Sequence, residues 1–186
     1  MVGEFARARA RHAAIRHEAY AVARQDALRN GVCGPDLRIT DIDTAALRAW
    51  SATWTGAHPS GAGKWDWANL LERAPHRAAV LPVAIWYGTD LCGLAHGHAS
   101  PHRASGARHT ISFTHIERRP EPPAVPLRRR IVPLAVTVAE AYGRALGSSR
   151  VRLWNPDPRL LGYYRDVLGF EVAYKTGRAV YCERRI

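Results

Sequence analysis

The feature that most constrains the fold is a change of hydrophobic period along the second half of the chain. Residues 78–87 (AAVLPVAIWY) form an apolar, β-rich run, Gly88-Thr89-Asp90 signals a turn, and LCGLAHGHA (91–99) follows, so the pair reads as a hairpin. A polar link leads into HTISFTHIE (109–117), where the β-formers Thr, Ile and Phe dominate. The segment 117–126 holds Pro120, Pro122, Pro123 and Pro126 and is excluded from helix and central strand. Beyond it Ile131, Leu134, Ala135, Val138, Tyr142 and Ala145 recur at helical spacing, which predicts an amphipathic helix over 128–146 ending at Gly147. VRLWN (151–155) then reads as a buried strand. Asp157 is an N-cap with Pro158 at the first helical position, before a helix with Leu160, Leu161, Tyr164 and Leu168 on one face. Gly169 ends that helix, and FEVAY and AVYCER make a terminal hairpin around 175–177. Strand, helix, strand implies a parallel pair with a crossover helix, whereas the hairpins imply antiparallel strands, so the sheet is mixed.

The first third is more helical. Residues 4–29 read as a helix with sparse apolar positions at Phe5, Ile15, Tyr20, Val22 and Leu28, stopped by Asn30-Gly31. LRITDID (37–43) is a short strand, Asp43 or Thr44 caps a helix to about Trp50, HPSGAG (58–63) is a link, and 64–74 is helical. A chain of 186 residues with 47% hydrophobic side chains is expected to form one domain over 1–186, with a helical N-terminal part over residues 1–77.

Composition excludes several classes. No stretch reaches the roughly 18 continuous apolar residues of a membrane span. The N-terminus is basic without an apolar run, which reads as a helix and not a secretory signal. Cys33, Cys92 and Cys182 are odd in number and far apart, against a disulfide framework or a thiolate zinc site, and a reducing cytoplasm is the expected location. The net charge of +11 is almost wholly arginine, Lys64 and Lys175 being the only lysines. A high-GC genome accounts for such a bias; so does a basic surface for phosphate-bearing partners, and charge alone does not separate the two.

The element order and the segment VRLWNPDPRLLGYYRDVLGFEV (151–172) resemble the GNAT superfamily of N-acetyltransferases, in which a strand and Asn, a helix with a tyrosine, and a Gly-Phe leading into a strand stand in this order. Here these are Asn155, Tyr163 or Tyr164, Gly169 and Phe170. The string YYRDVLGFEV (163–172) is also similar to the opening of glyoxalase-type metal modules, but only 14 residues follow Val172, too few for that fold. The GNAT resemblance implies an α/β (α+β) fold: a mixed, mostly antiparallel sheet, splayed between the fourth and fifth strands and flanked by helices, with coenzyme A in the gap.

It further implies a coenzyme A-dependent N-acyltransferase using acetyl-CoA and a small-molecule or peptide amine acceptor. Cofactor contacts would fall at Ile116, at the loop and helix start Arg128, Arg129, Arg130, Ile131 and Val132, and at Asn155. The family's loop carries glycines that let backbone N–H groups approach a pyrophosphate; here arginines stand instead, and could contribute charge-assisted bonds to phosphate. Tyr164 is the candidate acid for the departing thiolate, with Tyr163 as its substitute. His115 and Glu117, alternating with Ile111 and Phe113 on one strand face, are the candidate bases. Trp65, Asp66 and Trp67 sit where an acceptor wall is expected. His96 and His98 alternate on the adjacent strand without an evident third ligand, so no metal is expected. The missing glycines keep open a GNAT-like binding or scaffold module without catalysis. The charge keeps open an acceptor linked to nucleic acid, such as aminoacyl-tRNA. A dimer is compatible with the sequence, which does not specify the oligomeric state.

Overall fold

A computed structural model describes residues 2–54, 65–73, 78–101, 109–120, 127, 129–174 and 180–186. The chain opens with helix α1 (Val2–Arg29), followed by strand β1 (Leu37–Thr40) and helices α2 (Thr44–Thr53) and α3 (Trp67–Glu72). Strands β2 (Val80–Tyr87), β3 (Asp90–Pro101) and β4 (His109–Arg118) follow, then helix α4 (Ile131–Ala145), strand β5 (Arg150–Trp154), a short 3-10 turn (Pro158–Leu160), helix α5 (Leu161–Asp166), and strands β6 (Glu171–Tyr174) and β7 (Val180–Arg185). The expected link at 58–63 and the turn at 175–177 lie outside the described residues.

The strands form one seven-stranded sheet in the order β1-β2-β3-β4-β5-β7-β6. Every neighbouring pair is antiparallel except β4 and β5, which run parallel and are joined through α4. The expected parallel crossover is therefore β4–α4–β5. Strands β5 and β6 also run the same way, but β7 lies between them, bonded antiparallel to both. Local pattern identifies such strands; which of them become neighbours is decided by long-range pairing.

Helices α1 and α4 cover one face of the sheet, where Leu134, Ala135, Val138 and Tyr142 of α4 meet Ile111, Phe113, Val151 and Leu153. Helices α2 and α3 cover the other face of the early strands through Trp54, Trp67, Trp86, Leu94 and Ile42. Asp43 is the cap of α2, its carboxylate accepting from the Ala46 N–H at 2.8 Å. In α1 the buried stripe is Arg16, Ala19, Tyr20, Ala23 and Ala27, while Phe5 and Val22 are exposed. Small alanines let two helices approach closely, so the inner face of α1 is not its most apolar one. Polar anchors complete it: the Tyr20 hydroxyl donates to Asp41, Arg16 donates to Asp41 and to the Val80 carbonyl, and His12 Nδ1 lies 2.7 Å from the Tyr142 hydroxyl.

Two departures from the expected pattern shape the site. Strand β4 carries a bulge: His96 of β3 stands opposite His115, Gly97 stands opposite Phe113, and Thr114 is skipped. Gly97 permits it, since a Cβ there would lie 2.5 Å from the Ser112 carbonyl oxygen. The second is the start of α4, at Ile131 and not Arg128, because Arg129 adopts a left-handed backbone (φ 65°) that ends the preceding turn. Gly93 lets that first turn sit on the sheet: a Cβ there would fall 2.5 Å from Ile131 Cγ2.

Candidate active site

Strand β5 pairs with β4 only from Thr110/Arg150 to Phe113/Leu153, whereas β4 continues to Arg118. Beyond Leu153 the β5 chain follows β7 instead, and the Asn155 N–H donates to the Val180 carbonyl at 2.9 Å. Asn155 itself is left-handed (φ 44°), a conformation its short polar side chain tolerates, and turns the chain toward the Asp157 cap. The two strands part, and a cleft of about 1050 Å³ opens between them.

The backbone facing this cleft can be assigned. The Arg119 N–H donates to the Cys92 carbonyl, so strand alternation turns the N–H and C=O of Glu117 toward β3 and those of Ile116 and Arg118 toward the gap. At the opposite wall the first turn of α4 adds more donors. The Arg130 N–H is used by the Leu127 carbonyl, Leu134 begins the helical ladder, and Pro133 has no N–H. That leaves Ile131 and Val132, both lining the cleft, as the amides at a helix N-terminus, where anions are favoured. Arg129, which is exposed, lines it as well.

The side chains divide by face. With Thr114 inserted, His115 and Glu117 turn to the α3 side, away from Ile111 and Phe113, which stay in the core against α4. The expectation that all four share one face is corrected by the bulge, which shifts the period by one residue. Glu117 is buried, and its Oε2 accepts from the Trp67 indole N–H at 2.7 Å. His115 is half-buried; burial lowers its pKa below the ordinary imidazole value, so the ring is neutral near pH 7. Its Nδ1 lies 2.9 Å from the Thr114 hydroxyl, which donates to the His96 carbonyl at 3.1 Å. Trp65 stands edge-on to the same ring, centroids 4.3 Å apart at 81°.

From the far side α5 presents both tyrosines. Tyr164 is 7% exposed, and burial, with smaller contributions from Cys182, Asp157 and Tyr163, pushes its phenol up to about 12. Tyr163 is less buried; burial raises its pKa too, while the charge of Arg130 acts against the rise.

The cleft thus brings together Tyr163, Tyr164, His115, Glu117, Ile116, Arg129, Ile131, Val132, Asn155 and Trp65. Arg128 lies outside the described residues, and Arg130 is exposed without lining the cleft. Trp67 is fully buried and Asp66 caps α3, its carboxylate accepting from the Asn69 N–H at 3.0 Å. The acceptor wall expected of Trp65, Asp66 and Trp67 therefore reduces to Trp65, since α3 begins at Trp67 and not at residue 64. Leu160, expected on the inner face of its helix, is 41% exposed at the cleft, because it ends a 3-10 turn with a different rotation per residue. Sequence reasoning missed Thr114, Leu160 and Val167 as cleft residues; only Gly97, a small residue opposite the bulge, hinted at the first. Among the described residues no group of three or more His, Cys, Asp or Glu side chains is arranged to hold a metal ion, and no helix is long and apolar enough to cross a membrane.

A sheet whose fourth and fifth strands run parallel, separate at their C-terminal ends and enclose a cleft at the start of the intervening helix is a distinctive arrangement. The fold is the GNAT fold. Solved structures share it. A Trypanosoma brucei acetyltransferase superposes with a TM-score of 0.56, over 77% of this chain and 98% of that one, at 16% identity. The GNAT domain of S. lividans PAT gives 0.55 over 81% and 89%, at 11% identity. The Campylobacter jejuni N-acetyltransferase PseH gives 0.52 over 81% and 99%, at 8% identity. No family model matches the sequence, and no curated protein matches it. At these identities the GNAT likeness is one of fold, and function has to be argued from the cleft.

Proposed function

We propose that the chain is one acyltransferase domain that moves an acyl group, acetyl by preference, from coenzyme A to an amine. The observation that carries this reading is the cleft, which has a cationic, amide-lined end at α4 and a neutral imidazole at the other side of β4. The acetyltransferases that share the fold support it.

The residues present fit acetyl-CoA. The N–H groups of Ile131 and Val132, with the Arg129 guanidinium, would hold the pyrophosphate. The Ile116 and Arg118 N–H groups, lacking a β5 partner, are placed to bond the pantetheine amides or the developing oxyanion. Bound here, acetyl-CoA supplies an activated thioester carbonyl. His115 takes the proton of the attacking amine, because it is half-exposed on the wall, whereas Glu117 is 6% exposed beneath the Trp67 indole. Tyr164 donates to the departing sulfur.

Titration calorimetry with acetyl-CoA tests the reading. Binding in the micromolar range, weakened about five- to tenfold in Arg129→Ala, is expected; an exposed charge-assisted bond contributes about 1 kcal/mol. At a hundred times the dissociation constant the ligand should stabilise the fold by about 2.7 kcal/mol. No heat and no thermal shift would end the acyltransferase reading. Such a result would instead favour a binding module. Arg128 to Arg130 in place of glycines and the N–H missing at Pro133 are what speak for that second reading.

A further inference from the structure

We propose that Thr114, the residue inserted by the β4 bulge, is a positioning residue that fixes His115 in its Nδ1–H tautomer and so leaves the Nε2 lone pair to accept a proton. This rests on the reading of His115 as the base. Three observations lead to it.

A threonine hydroxyl has one proton and two lone pairs. Thr114 Oγ1 lies 3.1 Å from the His96 carbonyl oxygen, which can only accept, so that contact commits the proton to His96. The same oxygen lies 2.9 Å from His115 Nδ1. With its proton already used, Oγ1 accepts there, and Nδ1 carries the hydrogen. The neutral ring then has its lone pair on Nε2. His96 Nδ1 lies farther from Oγ1, at 3.5 Å, and the direction of that contact follows the tautomer of its own ring.

The bulge makes this arrangement possible. In a regular strand Thr114 and His115 would point to opposite faces. As the skipped residue, Thr114 escapes alternation, and its side chain reaches both the β3 backbone and the ring of the next residue. Neutrality of the ring is a condition for any tautomer to matter, and the burial of His115 favours it.

Among the described residues, the Thr114 hydroxyl is the hydrogen-bond partner seen at His115 Nδ1. Trp65, just before α3, and Trp67, its first residue, stand T-shaped to His115 at centroid distances of 4.3 and 6.4 Å, and the His96 ring stands 6.3 Å away on β3. Glu117, the carboxylate on the same strand face, has its Oε2 on the Trp67 indole.

The test is a long-range ¹H–¹⁵N correlation spectrum of the histidine side chains, taken on the full chain without ligand at a pH where His115 is neutral. His115→Gln assigns the resonance. Wild type should show a pyrrole-type Nδ1 and a pyridine-type Nε2 at His115. Thr114→Ser, which keeps the hydroxyl, should show the same, and Thr114→Val should lose it. A pyridine-type Nδ1 in wild type overturns the proposal, and so does an unchanged pattern in a folded Thr114→Val. If the valine variant does not fold, wild type and Thr114→Ser still decide, because a serine spectrum that differs from wild type also overturns it. No acetyl-CoA is present, so the outcome is independent of the calorimetry that tests the acyltransferase reading.

Discussion

Replacing Tyr164 by Phe isolates the acid side of the proposed reaction, and the structure limits how large its effect can be. Burial has pushed the phenol up to about 12, whereas an ordinary thiol titrates near 8.5. Full transfer of the phenolic proton to a free thiolate would run uphill by about 3.5 units, or about 5 kcal/mol at 1.36 kcal/mol per unit. On the proposed reading Tyr164 would therefore stabilise the sulfur by donating a hydrogen bond as charge develops, without surrendering its proton outright. A hydrogen bond to a charged group contributes about 1.5–3 kcal/mol, which corresponds to a loss of about 10- to 150-fold in turnover, mostly below the roughly 10²–10⁴-fold of a positioned general acid. Acetyl-CoA affinity should hardly change, since the phenol meets the sulfur chiefly in the transition state. The assay is release of thiol from acetyl-CoA in the presence of an amine found by screening a panel, with calorimetry for affinity and circular dichroism for the fold. Tyr163→Phe, at the less buried position, should do less. A larger loss in Tyr163→Phe would reverse the assignment, and full activity in both variants would remove tyrosine from the mechanism.

Other consequences are open to measurement. Trp67→Phe should cost about 2–4 kcal/mol in urea unfolding, since it removes packing from a fully buried site and the indole donor to Glu117; a loss under about 1 kcal/mol would show the indole contact to be incidental. With the His115 pKa lowered, the acid limb of the pH–rate profile should lie below the ordinary imidazole value of about 6.5, and His115→Gln should abolish that limb. The same shift makes the unfolded imidazole the better proton acceptor, so its contribution to stability is present above that value and lost as pH falls through the window beneath it. At Asp41 burial acts to raise the pKa, but the hydrogen bonds from Arg16 and Tyr20, with the charges of Arg16 and His17, outweigh it and leave it lowered. Its stabilisation should therefore persist well into acid and be lost only as pH falls through the lowered value, and Asp41→Asn should flatten the acid limb of the stability curve.

Much of this fold is legible in the sequence because its elements announce themselves locally. The apolar stripe of α4, the Asp157-Pro158 start and the β-rich runs each follow from spacing and caps, and the observed elements lie within a few residues of the expected ones. What escapes is decided at a distance. The β7 strand pairs with β6 as the terminal hairpin predicts, but nothing in residues 180–185 shows that its other neighbour is β5, so that it enters between the two. The inner stripe of α1 is made of alanines, Arg16 and Tyr20, whose role appears only when α4 and Asp41 are brought against them. At the candidate site the residue types stand out by motif, but His115 and Glu117 read as sharing a strand face with Ile111 and Phe113. A one-residue bulge has no local signature beyond a glycine on the opposite strand.

That bulge and the parting of β5 are coupled through hydrogen bonding. Residues 114–118 of β4 have lost their partner on one edge, which in a closed sheet would leave polar backbone groups buried at a cost of about 1–3 kcal/mol each. Parting turns this edge into the wall of a cleft where water or a ligand can satisfy it. On the β5 side Asn155 bends the chain so that the Asn155 N–H finds the Val180 carbonyl of β7. The inserted Thr114 in turn aims His115 and Glu117 at the α3 face while Ile116 stays packed against the core on the α4 side. Within four residues, therefore, one strand supplies unpaired amides along its edge, an imidazole and a carboxylate on one face, and a core contact on the other. A regular strand that remained paired with β5 to its end would keep the same side chains but present no amides.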